Sequence, residues 1–400
     1  MEAPPFILPS ESPFMRSMCW LIVCSVFVVL PAPISWGQSS KEVTAAVQPF
    51  VDRNELAGAV MLVADRNEIR MEDAVGWANI ADKQPMRTDS MFWIASQSKP
   101  MTAAALMMLV DEGKVSLDDP VEKYLPEFQG QMVVVEKDEE HVLLHRPVHP
   151  ITVRNVLSHT SGLPFRSALE VPTLDRYPLE ARVRSYAMTP LEFSPDSKYQ
   201  YSNAGINTAA RIIEVVSGQP YETFMDERLL KPLGMKDTTF WPTETQEKRI
   251  ATSYRPNAAK EGLEAIKIDQ LSYPLSDREH RRPMPAGGLF STASDVARFY
   301  QMLLRGGELD GKRYLTEQAV KELTSRQTPE TLNNSYGLGF AVGANHFGHA
   351  GAYSTNTIAE KKQGLIYVWL VQHAGFPGQG GQSQGEFRKA AANVFAPATN

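Results

Sequence analysis

The sequence predicts an α+β fold in which an antiparallel sheet is built from both ends of the chain and flanked by helices. Strand-like patterns open and close the chain, helical patterns fill its middle, and no long low-complexity linker separates them. The 400 residues are 43% hydrophobic and 22% charged, which is enough apolar material for a sizeable core. We expect residues 38–90 and 290–400 to form a sheet domain. Residues 91–289 would form a mostly helical domain, with the active-site cleft between the two.

The first 37 residues have the features of a targeting segment. Arg16 precedes an apolar run from Met18 to Leu30, and small residues at Ser35 and Gly37 follow it. The run is short for a bilayer span, so we expect a signal peptide, preceded by an N-terminal extension over residues 1–14. The protein would then be periplasmic or secreted. An uncleaved membrane anchor is the alternative.

Cysteine content and charge exclude several classes of function. Cys19 and Cys24 both lie in the targeting segment, so the mature chain would have no disulfide, thiol nucleophile or cysteine metal site. The net charge is −6, and no basic block or basic helix is present. Nucleic acid is therefore not an expected partner.

The first elements follow from residue patterns along the chain. Residues 57–80 predict two strands around a turn at residues 65–67. A helix is predicted from about Gln97 to Glu112, because apolar residues recur at helical spacing and Gly113 provides a stop. Residues 132–145 predict a hairpin with a charged tip.

The later elements alternate in the same way. Helical patterns cover residues 151–159, 203–216, 221–230 and 294–304. Ser294 or Asp295 is a suitable cap for the last of these. Strand-like stretches then return at residues 336–342, 346–359 and 364–372, followed by a glycine-rich loop and a short helix over residues 387–394.

Ser96 and Lys99 are the first candidates for chemistry. On a helix their spacing puts them on one face, one turn apart. A lysine at the positive end of a helix, if it is also desolvated, favours its neutral form and can act as a base toward a serine hydroxyl. Chance alone supplies about one Ser-x-x-Lys in a chain of this composition, so the motif needs support from other residues. A capping serine beside a solvated lysine is the structural alternative.

The segment Tyr201-Ser202-Asn203 is the second candidate. A tyrosine can relay a proton when a nearby cation favours its phenolate, and an asparagine can orient a lysine or a substrate carbonyl. Both residues also have purely structural explanations, with Asn203 as a helix N-cap and Tyr201 as a core aromatic.

A short polar triplet on a late strand is the third candidate, and three such triplets occur. Lys362-Gln363-Gly364 lies in a predicted hairpin turn, and His373-Ala374-Gly375 lies where a strand enters the glycine-rich loop. His349-Ala350-Gly351 lies within a strand-like run. Its flanking glycines would let a substrate approach the backbone closely.

Together these residues resemble the serine β-lactamase and penicillin-binding protein family, most closely its class C-like branch. That branch includes D-alanyl-D-alanine carboxypeptidases and the β-lactamase-like family VIII esterases. The three motifs occur in the family's order, and further stretches between them are similar to the family: residues 157–164, 227–240, 285–303 and 336–340. The resemblance covers roughly residues 45–395 and implies the β-lactamase/transpeptidase-like fold.

The resemblance also implies roles for the first two motifs. Ser96 would be the acylated nucleophile, and Lys99 and Tyr201 would share the proton transfers of acylation and deacylation. Asn203 would position the lysine and the substrate. No metal or cofactor is implied, and the expected partner is a small-molecule ester, a β-lactam or a peptidoglycan peptide.

The third motif carries the main departure from the family. His349-Ala350-Gly351 would border the cleft, and the backbone N–H groups of Ser96 and Ala352 would form the oxyanion hole. Many β-lactamases of the family have lysine where this chain has His349, which is mostly neutral near pH 7. The departure favours an esterase or a peptidase, including one for cell-wall D-Ala peptides, over a β-lactamase. A second departure is Asp196, where the family often has glycine, and we expect it to alter a loop only.

Several other features of the sequence have interpretations that differ from a serine acyltransfer enzyme. His141, His145 and His149 have the spacing of a metal-binding helix face, but the prolines around them argue against a helix. His159 is interpreted as a residue that organises its loop. No Gly-x-Ser-x-Gly elbow is present. The alternative from another class is a non-catalytic module that binds penicillin or peptidoglycan or serves as a scaffold.

Overall fold

The computed structural model describes Met1 and residues 36–396. Its helices are α1 (Trp36–Asp52), α2 (Ser98–Asp111), α3 (Val153–Ser158), α4 (Leu179–Ala187), α5 (Asn203–Ser217), α6 (Tyr221–Phe224), α7 (Glu244–Glu247), α8 (Ala293–Leu304), α9 (Glu317–Thr324) and α10 (Ser383–Phe395). Its strands are β1 (Gly58–Asp65), β2 (Ile69–Asn79), β3 (Gln84–Pro85), β4 (Phe92–Trp93), β5 (Val133–Lys137), β6 (Val142–His145), β7 (Ser253–Pro256), β8 (Leu263–Ile266), β9 (Phe290–Ser291), β10 (Glu308–Leu309), β11 (Lys312–Arg313), β12 (Ala341–Val342), β13 (His346–Ala350), β14 (Asn356–Glu360) and β15 (Leu365–Leu370).

The main sheet has seven strands in the order β12-β13-β14-β15-β1-β2-β3, and all neighbours are antiparallel. The predicted sheet built from both chain ends is confirmed, because β1 pairs with β15 and places Val60 opposite Leu370. Strands β1 and β15 pair although they lie far apart in the sequence. The residues between them can therefore form helices outside the sheet.

Strand β1 is buried on both faces, which explains why its sequence is a continuous apolar run. Successive side chains point to opposite faces of a strand. Three of them join the core that includes α2 and α8, and the other three join a second core with α1 and α10. The first set is Val60, Leu62 and Ala64, and the second is Ala59, Met61 and Val63.

Helix α2 is buried around its whole circumference from Ser98 to Leu109, and it packs against α5 and α9. Helix α5 lies close to α3, because a side chain at Gly205 would come within 2.5 Å of the Val156 carbonyl oxygen. Only glycine permits that approach. These contacts place the start of α5 beside the start of α2.

Several helix ends differ from their predictions by a few residues. Ser202, not Asn203, caps α5, since its side chain accepts from the Gly205 N–H. Thr292 caps α8 instead of Ser294 or Asp295. The predicted helix over residues 221–230 is correct in extent, but its second half, Met225–Leu230, is π-helical.

The hairpin predicted over residues 132–145 is confirmed as β5 and β6. The histidine-rich segment is therefore not a helix. The apolar run Met18–Leu30 lies outside the described residues, so the signal peptide stays a prediction. The domain boundaries at residues 90 and 289 also stay a prediction. Within the described part of the chain, no helix is both long enough and apolar enough to cross a membrane.

Candidate active site

Ser96 lies in a tight turn, Ala95–Gln97, that leads into α2. Ala95 has a φ of +46°, which is uncommon for a residue with a side chain and stores strain at functional sites. The turn is held by Ser98, whose hydroxyl donates to the Ala95 carbonyl at 2.7 Å and accepts from the Leu289 N–H at 3.1 Å. Ser96 is half-buried and remains accessible to a substrate.

Lys99 is fully buried beside it, and its Nζ lies 3.0 Å from Ser96 Oγ. The amine also donates to the Ala286 carbonyl at 2.7 Å and lies 4.6 Å from the centre of the Tyr201 ring. Burial lowers the pKa of Lys99 well below its ordinary value, because the ammonium form is the one that loses hydration. In its neutral form, the amine would have a lone pair within reach of the serine proton.

Tyr201 lies just before α5, and its phenol is half-buried. Burial raises the pKa of Tyr201 above its ordinary value, although a hydrogen bond with Ser96 partly opposes this effect. A cation that favours the phenolate is part of the predicted role of Tyr201. Burial favours the protonated phenol, so the share of Tyr201 in the proton transfers stays a prediction.

Asn203 is the first residue of α5, where its backbone N–H donates to the Phe165 carbonyl at 3.0 Å. Its side-chain Oδ1 is buried and has no hydrogen-bond partner. A buried amide oxygen without a partner is costly unless a ligand or a conformational change supplies a donor. This oxygen is therefore available to orient a neighbouring amine or a bound substrate.

His349 lies on β13, and both of its ring nitrogens are used within the protein. Nδ1 lies 2.6 Å from the carbonyl oxygen of Ala350. Because a carbonyl oxygen can only accept a hydrogen bond, Nδ1 must carry the proton. Nε2 is then an acceptor and receives the Tyr336 hydroxyl at 2.9 Å. Burial lowers the pKa of His349 to about 3. The imidazole is therefore neutral and has no free N–H to offer to a substrate.

The turn after β13 packs directly on the residues that lead into the Ala95–Gln97 turn. The Gly351 N–H donates to the Thr355 carbonyl at 2.7 Å, and the Thr355 hydroxyl donates to the Ile94 carbonyl at 3.3 Å. This contact brings the segment with Ala352 to the residues that precede Ser96. The assignment of the Ser96 and Ala352 N–H groups as an oxyanion hole stays a prediction.

Two aromatic residues complete the site and were not singled out from the sequence as catalytic. His159 ends α3 with a φ of +63°, its Nδ1 accepts from the Ser202 N–H at 3.2 Å, and its ring centre lies 4.6 Å from those of Tyr201 and Tyr336. In the sequence, Tyr336 is indicated only by its place in the family-like stretch 336–340. Ala286 is indicated in the same way by the stretch 285–303.

The other candidate motifs lie elsewhere. Lys362 is exposed in the turn between β14 and β15, and His373 accepts the Ala57 N–H at 3.1 Å inside the protein. Asp196 has a φ of +65°, which explains why glycine suits that position in the family. Among the described residues, no group of three or more His, Cys, Asp or Glu side chains is arranged to hold a metal ion.

Comparisons with known proteins show which family the chain resembles over most of its length. Residues 43–387 match the family model described as Beta-lactamase. Protein Rv1367c of Mycobacterium tuberculosis is 31% identical over 366 residues, which cover 82% of this chain and 89% of that protein. Esterase EstB of Burkholderia gladioli is 32% identical over 266 residues, which cover 61% of this chain and 64% of that protein.

The fold is also that of a solved structure, EstCE1, described as a hydrolase with promiscuous acyltransferase activity. Its TM-score is 0.74 with 23% identity, and the match covers 90% of this chain and all of that one. At this identity the likeness concerns the fold. The family match over most of the chain carries the assignment: the protein belongs to the Beta-lactamase family and is a serine hydrolase.

Proposed function

We propose that the protein is a serine esterase that forms an acyl-enzyme on Ser96 and prefers substrates without a carboxylate next to the scissile bond. The observation that carries the proposal is a buried Lys99, whose pKa is lowered and whose Nζ lies 3.0 Å from Ser96 Oγ, together with a His349 that offers no cation. Lys99 can activate Ser96 as a nucleophile. The uncharged His349 disfavours substrates that carry a carboxylate.

In acylation, the Ser96 hydroxyl transfers its proton to Lys99 Nζ while Oγ forms a bond to the carbonyl carbon of the ester. The carbonyl oxygen takes the negative charge, and the N–H groups of Ser96 and Ala352 would stabilise it. The tetrahedral intermediate then expels the alcohol oxygen. Tyr201, held as a protonated phenol, donates a proton to that oxygen and recovers one from Lys99, so the amine returns to its neutral form.

In deacylation, a water molecule takes the place of the alcohol. It gives a proton to the Lys99 and Tyr201 pair and bonds to the acyl carbon. The second intermediate expels Ser96 Oγ, which regains a proton from the same pair. The product is a carboxylic acid, and the enzyme ends in its starting protonation state.

The absence of a charge at His349 is what favours esters. A terminal carboxylate, as in a D-Ala-D-Ala peptide or a β-lactam, gains most from a fixed cation with free donors. Here Nδ1 is bound to the Ala350 carbonyl and Nε2 to Tyr336, so neither is free. A neutral ester has no carboxylate to desolvate and loses nothing at this position. The relative described as Esterase EstB is consistent with this choice.

A fluorophosphonate probe tests the nucleophile. We expect it to label the wild-type protein and the Ser197→Ala variant, because Ser197 is an exposed serine outside the site. It should not label Ser96→Ala. Labelling that survives Ser96→Ala would refute the assignment.

A substrate panel tests the class of reaction. A short-chain p-nitrophenyl ester should be turned over faster than a chromogenic cephalosporin or a D-Ala-D-Ala peptide. Faster turnover of the cephalosporin or the peptide would contradict the ester preference. A stable acyl adduct on Ser96 with no turnover of any of the three would favour a non-catalytic binding module.

We also propose that the protein is exported, on the basis of Arg16, the apolar run Met18–Leu30 and the small residues after it. N-terminal sequencing of the protein purified from its periplasm or medium should find a start near residue 38. Full-length protein in the cytoplasm would contradict export, and full-length protein in the membrane would indicate an anchor.

A further inference from the structure

The backbone at Ala286 is held against the lysine of the active site. The Ala286 carbonyl accepts from Lys99 Nζ at 2.7 Å, and both Ala286 and Lys99 are buried. A neutral amine has two N–H bonds and one lone pair. When one N–H donates to the Ala286 carbonyl, the amino group of Lys99 cannot rotate freely about its Cε–Nζ bond. Its lone pair can then be directed at Ser96.

Two side chains fix the orientation of this peptide unit. Thr102 Oγ1 donates to the Pro285 carbonyl at 2.8 Å, and the Ala286 N–H donates to Asn207 Oδ1 at 3.3 Å. The carbonyl of Pro285 and the N–H of Ala286 belong to one planar group and point to opposite sides. A hydrogen bond on each side therefore prevents this plane from rotating. The next plane, which carries the Ala286 carbonyl, is held by its Gly287 N–H on the Met284 carbonyl at 3.0 Å, so the two planes together set the direction of the Ala286 carbonyl.

The amide of Asn207 is itself oriented by a buried acid. Its Nδ2 donates to the Tyr186 hydroxyl at 2.9 Å and to Glu170 Oε1 at 3.2 Å. A carboxylate can only accept, so Nδ2 must face Glu170 and Oδ1 must face Ala286. The charge of Glu170 is balanced by Arg182 at 3.8 Å, and the side chains of this ion pair are each only 1% exposed.

Thr102 reaches the same peptide from the opposite helix. It lies one turn after Lys99 on α2, whereas Asn207 lies on α5. The Tyr221 hydroxyl lies 2.7 Å from Thr102 Oγ1 and can donate to it. The threonine proton is then free for the Pro285 carbonyl at 2.8 Å, which is closer than the alternative acceptor, the Ser98 carbonyl at 3.1 Å. The two helices therefore hold the peptide between them.

We propose that Asn207 and Thr102 are positioning residues for catalysis, which clamp the Pro285–Ala286 peptide so that the Ala286 carbonyl orients the amine of Lys99 toward Ser96. Glu170 sets the direction of the Asn207 amide. This inference rests on the proposed role of Ser96 as nucleophile. Neither side chain contacts the substrate, and the effect acts through the lysine.

The test measures labelling of Ser96 by a fluorophosphonate over a range of probe concentrations. This separates the rate constant at saturating probe from the probe concentration at half-saturation. Asn207→Ala removes the acceptor for the Ala286 N–H, and Thr102→Val removes the donor to Pro285. Loss of one hydrogen bond that orients the base should lower the saturating rate constant by up to about tenfold. The half-saturating concentration should stay within about twofold, because probe contacts are unchanged.

Two matched variants separate positioning from general loss of packing. Thr102→Ser keeps the hydroxyl and should restore the saturating rate constant to within about twofold of wild type. Thr208→Val removes a buried hydroxyl from the same helix as Asn207, but this hydroxyl bonds only to the helix carbonyl of Ala204. It should leave the rate constant unchanged. If Asn207→Ala does not fold, the Thr102 pair still decides the question.

The inference is overturned if folded Asn207→Ala and Thr102→Val label Ser96 at the wild-type rate, or if Thr208→Val slows labelling as much as they do. Failure of the proposed function gives a different result. In that case the wild-type protein itself is not labelled on Ser96.

Discussion

A methyl group at Gly351 should disable the site through a single backbone contact. A Cβ at this position would lie 2.5 Å from the Ile94 carbonyl oxygen and 2.2 Å from Thr355 Oγ1. The threonine can rotate away, although it would give up its bond to Ile94. The Ile94 carbonyl cannot move away as easily. Ile94 lies two residues before Ser96, and its backbone N–H donates to the Leu289 carbonyl at 3.0 Å.

The size of the effect follows from these distances. Real Cβ contacts are essentially never shorter than 3.0 Å, so Gly351 and Ile94 must separate by at least 0.5 Å. Overpacking of this kind costs about 1–3 kcal/mol of unfolding free energy. The shift also moves the segment with Ala352 away from the nucleophile. Misplacement by about 1 Å can reduce a rate about a hundredfold, so we expect kcat to fall roughly ten- to a hundredfold.

Urea unfolding and turnover of a p-nitrophenyl ester measure the two effects of Gly351→Ala. Gly385→Ala is the control, since no atom lies within 4 Å of a Cβ there and the residue is inside α10. That control should be stabilised by about 0.5–1 kcal/mol with unchanged kcat. The reasoning would be wrong if Gly351→Ala kept wild-type stability and kcat.

Three further variants test interactions away from the reacting atoms. Burial lowers the pKa of His373 to about 4, below the unfolded value of about 6.5, so its contribution to stability is complete above pH 6.5 and is lost as the pH falls toward 4. The free energy of unfolding in urea should therefore fall by roughly 2 kcal/mol between pH 6.5 and 5, and by less in His373→Asn; an equal fall in both would contradict the assignment. Asp175→Ala leaves buried Arg281 unpaired and should cost about 3–5 kcal/mol in urea unfolding, whereas a cost below about 1 kcal/mol would show that the pair is not needed. Tyr336→Phe leaves Nε2 of His349 without its donor and should cost about 1–2 kcal/mol without abolishing the labelling of Ser96; an unchanged urea midpoint would argue against this hydrogen bond.

Elements with strong local patterns could be predicted from the sequence, and elements defined by distant partners could not. The apolar run of β1 and the helical spacing of α2 predict those elements correctly. The two-residue strands β4 and β9 pair Phe92 with Ser291, and no local pattern reports a partner so far along the chain. The π-helical turn Met225–Leu230 is defined by the carbonyl to which each backbone N–H donates. The spacing of apolar residues in the sequence does not report this.

The same distinction applies to the candidate site. Ser96 and Lys99 are three residues apart, so helix geometry alone predicts their proximity. The Ala286 carbonyl and Tyr336 reach the site through tertiary contacts, and their motifs give no indication of which atom they contact. For His349 the sequence predicts a neutral imidazole. Only the structure shows that both nitrogens are already bonded, which is the more restrictive property.

The neutral His349 also changes what makes Lys99 a base. Where members of the family have lysine in the third motif, the second ammonium would disfavour a proton on Lys99 by repulsion. Here burial is the cause of the lowered pKa of Lys99, so the strength of the base depends on keeping water out. His349→Lys should therefore supply a cation that both repels a proton from Lys99 and attracts a carboxylate. The ratio of kcat/KM for a D-Ala-D-Ala peptide over an uncharged ester should rise about tenfold or more, while His349→Gln, which adds no charge, should leave it unchanged. An unchanged ratio in folded His349→Lys would mean that charge at this position does not select the substrate.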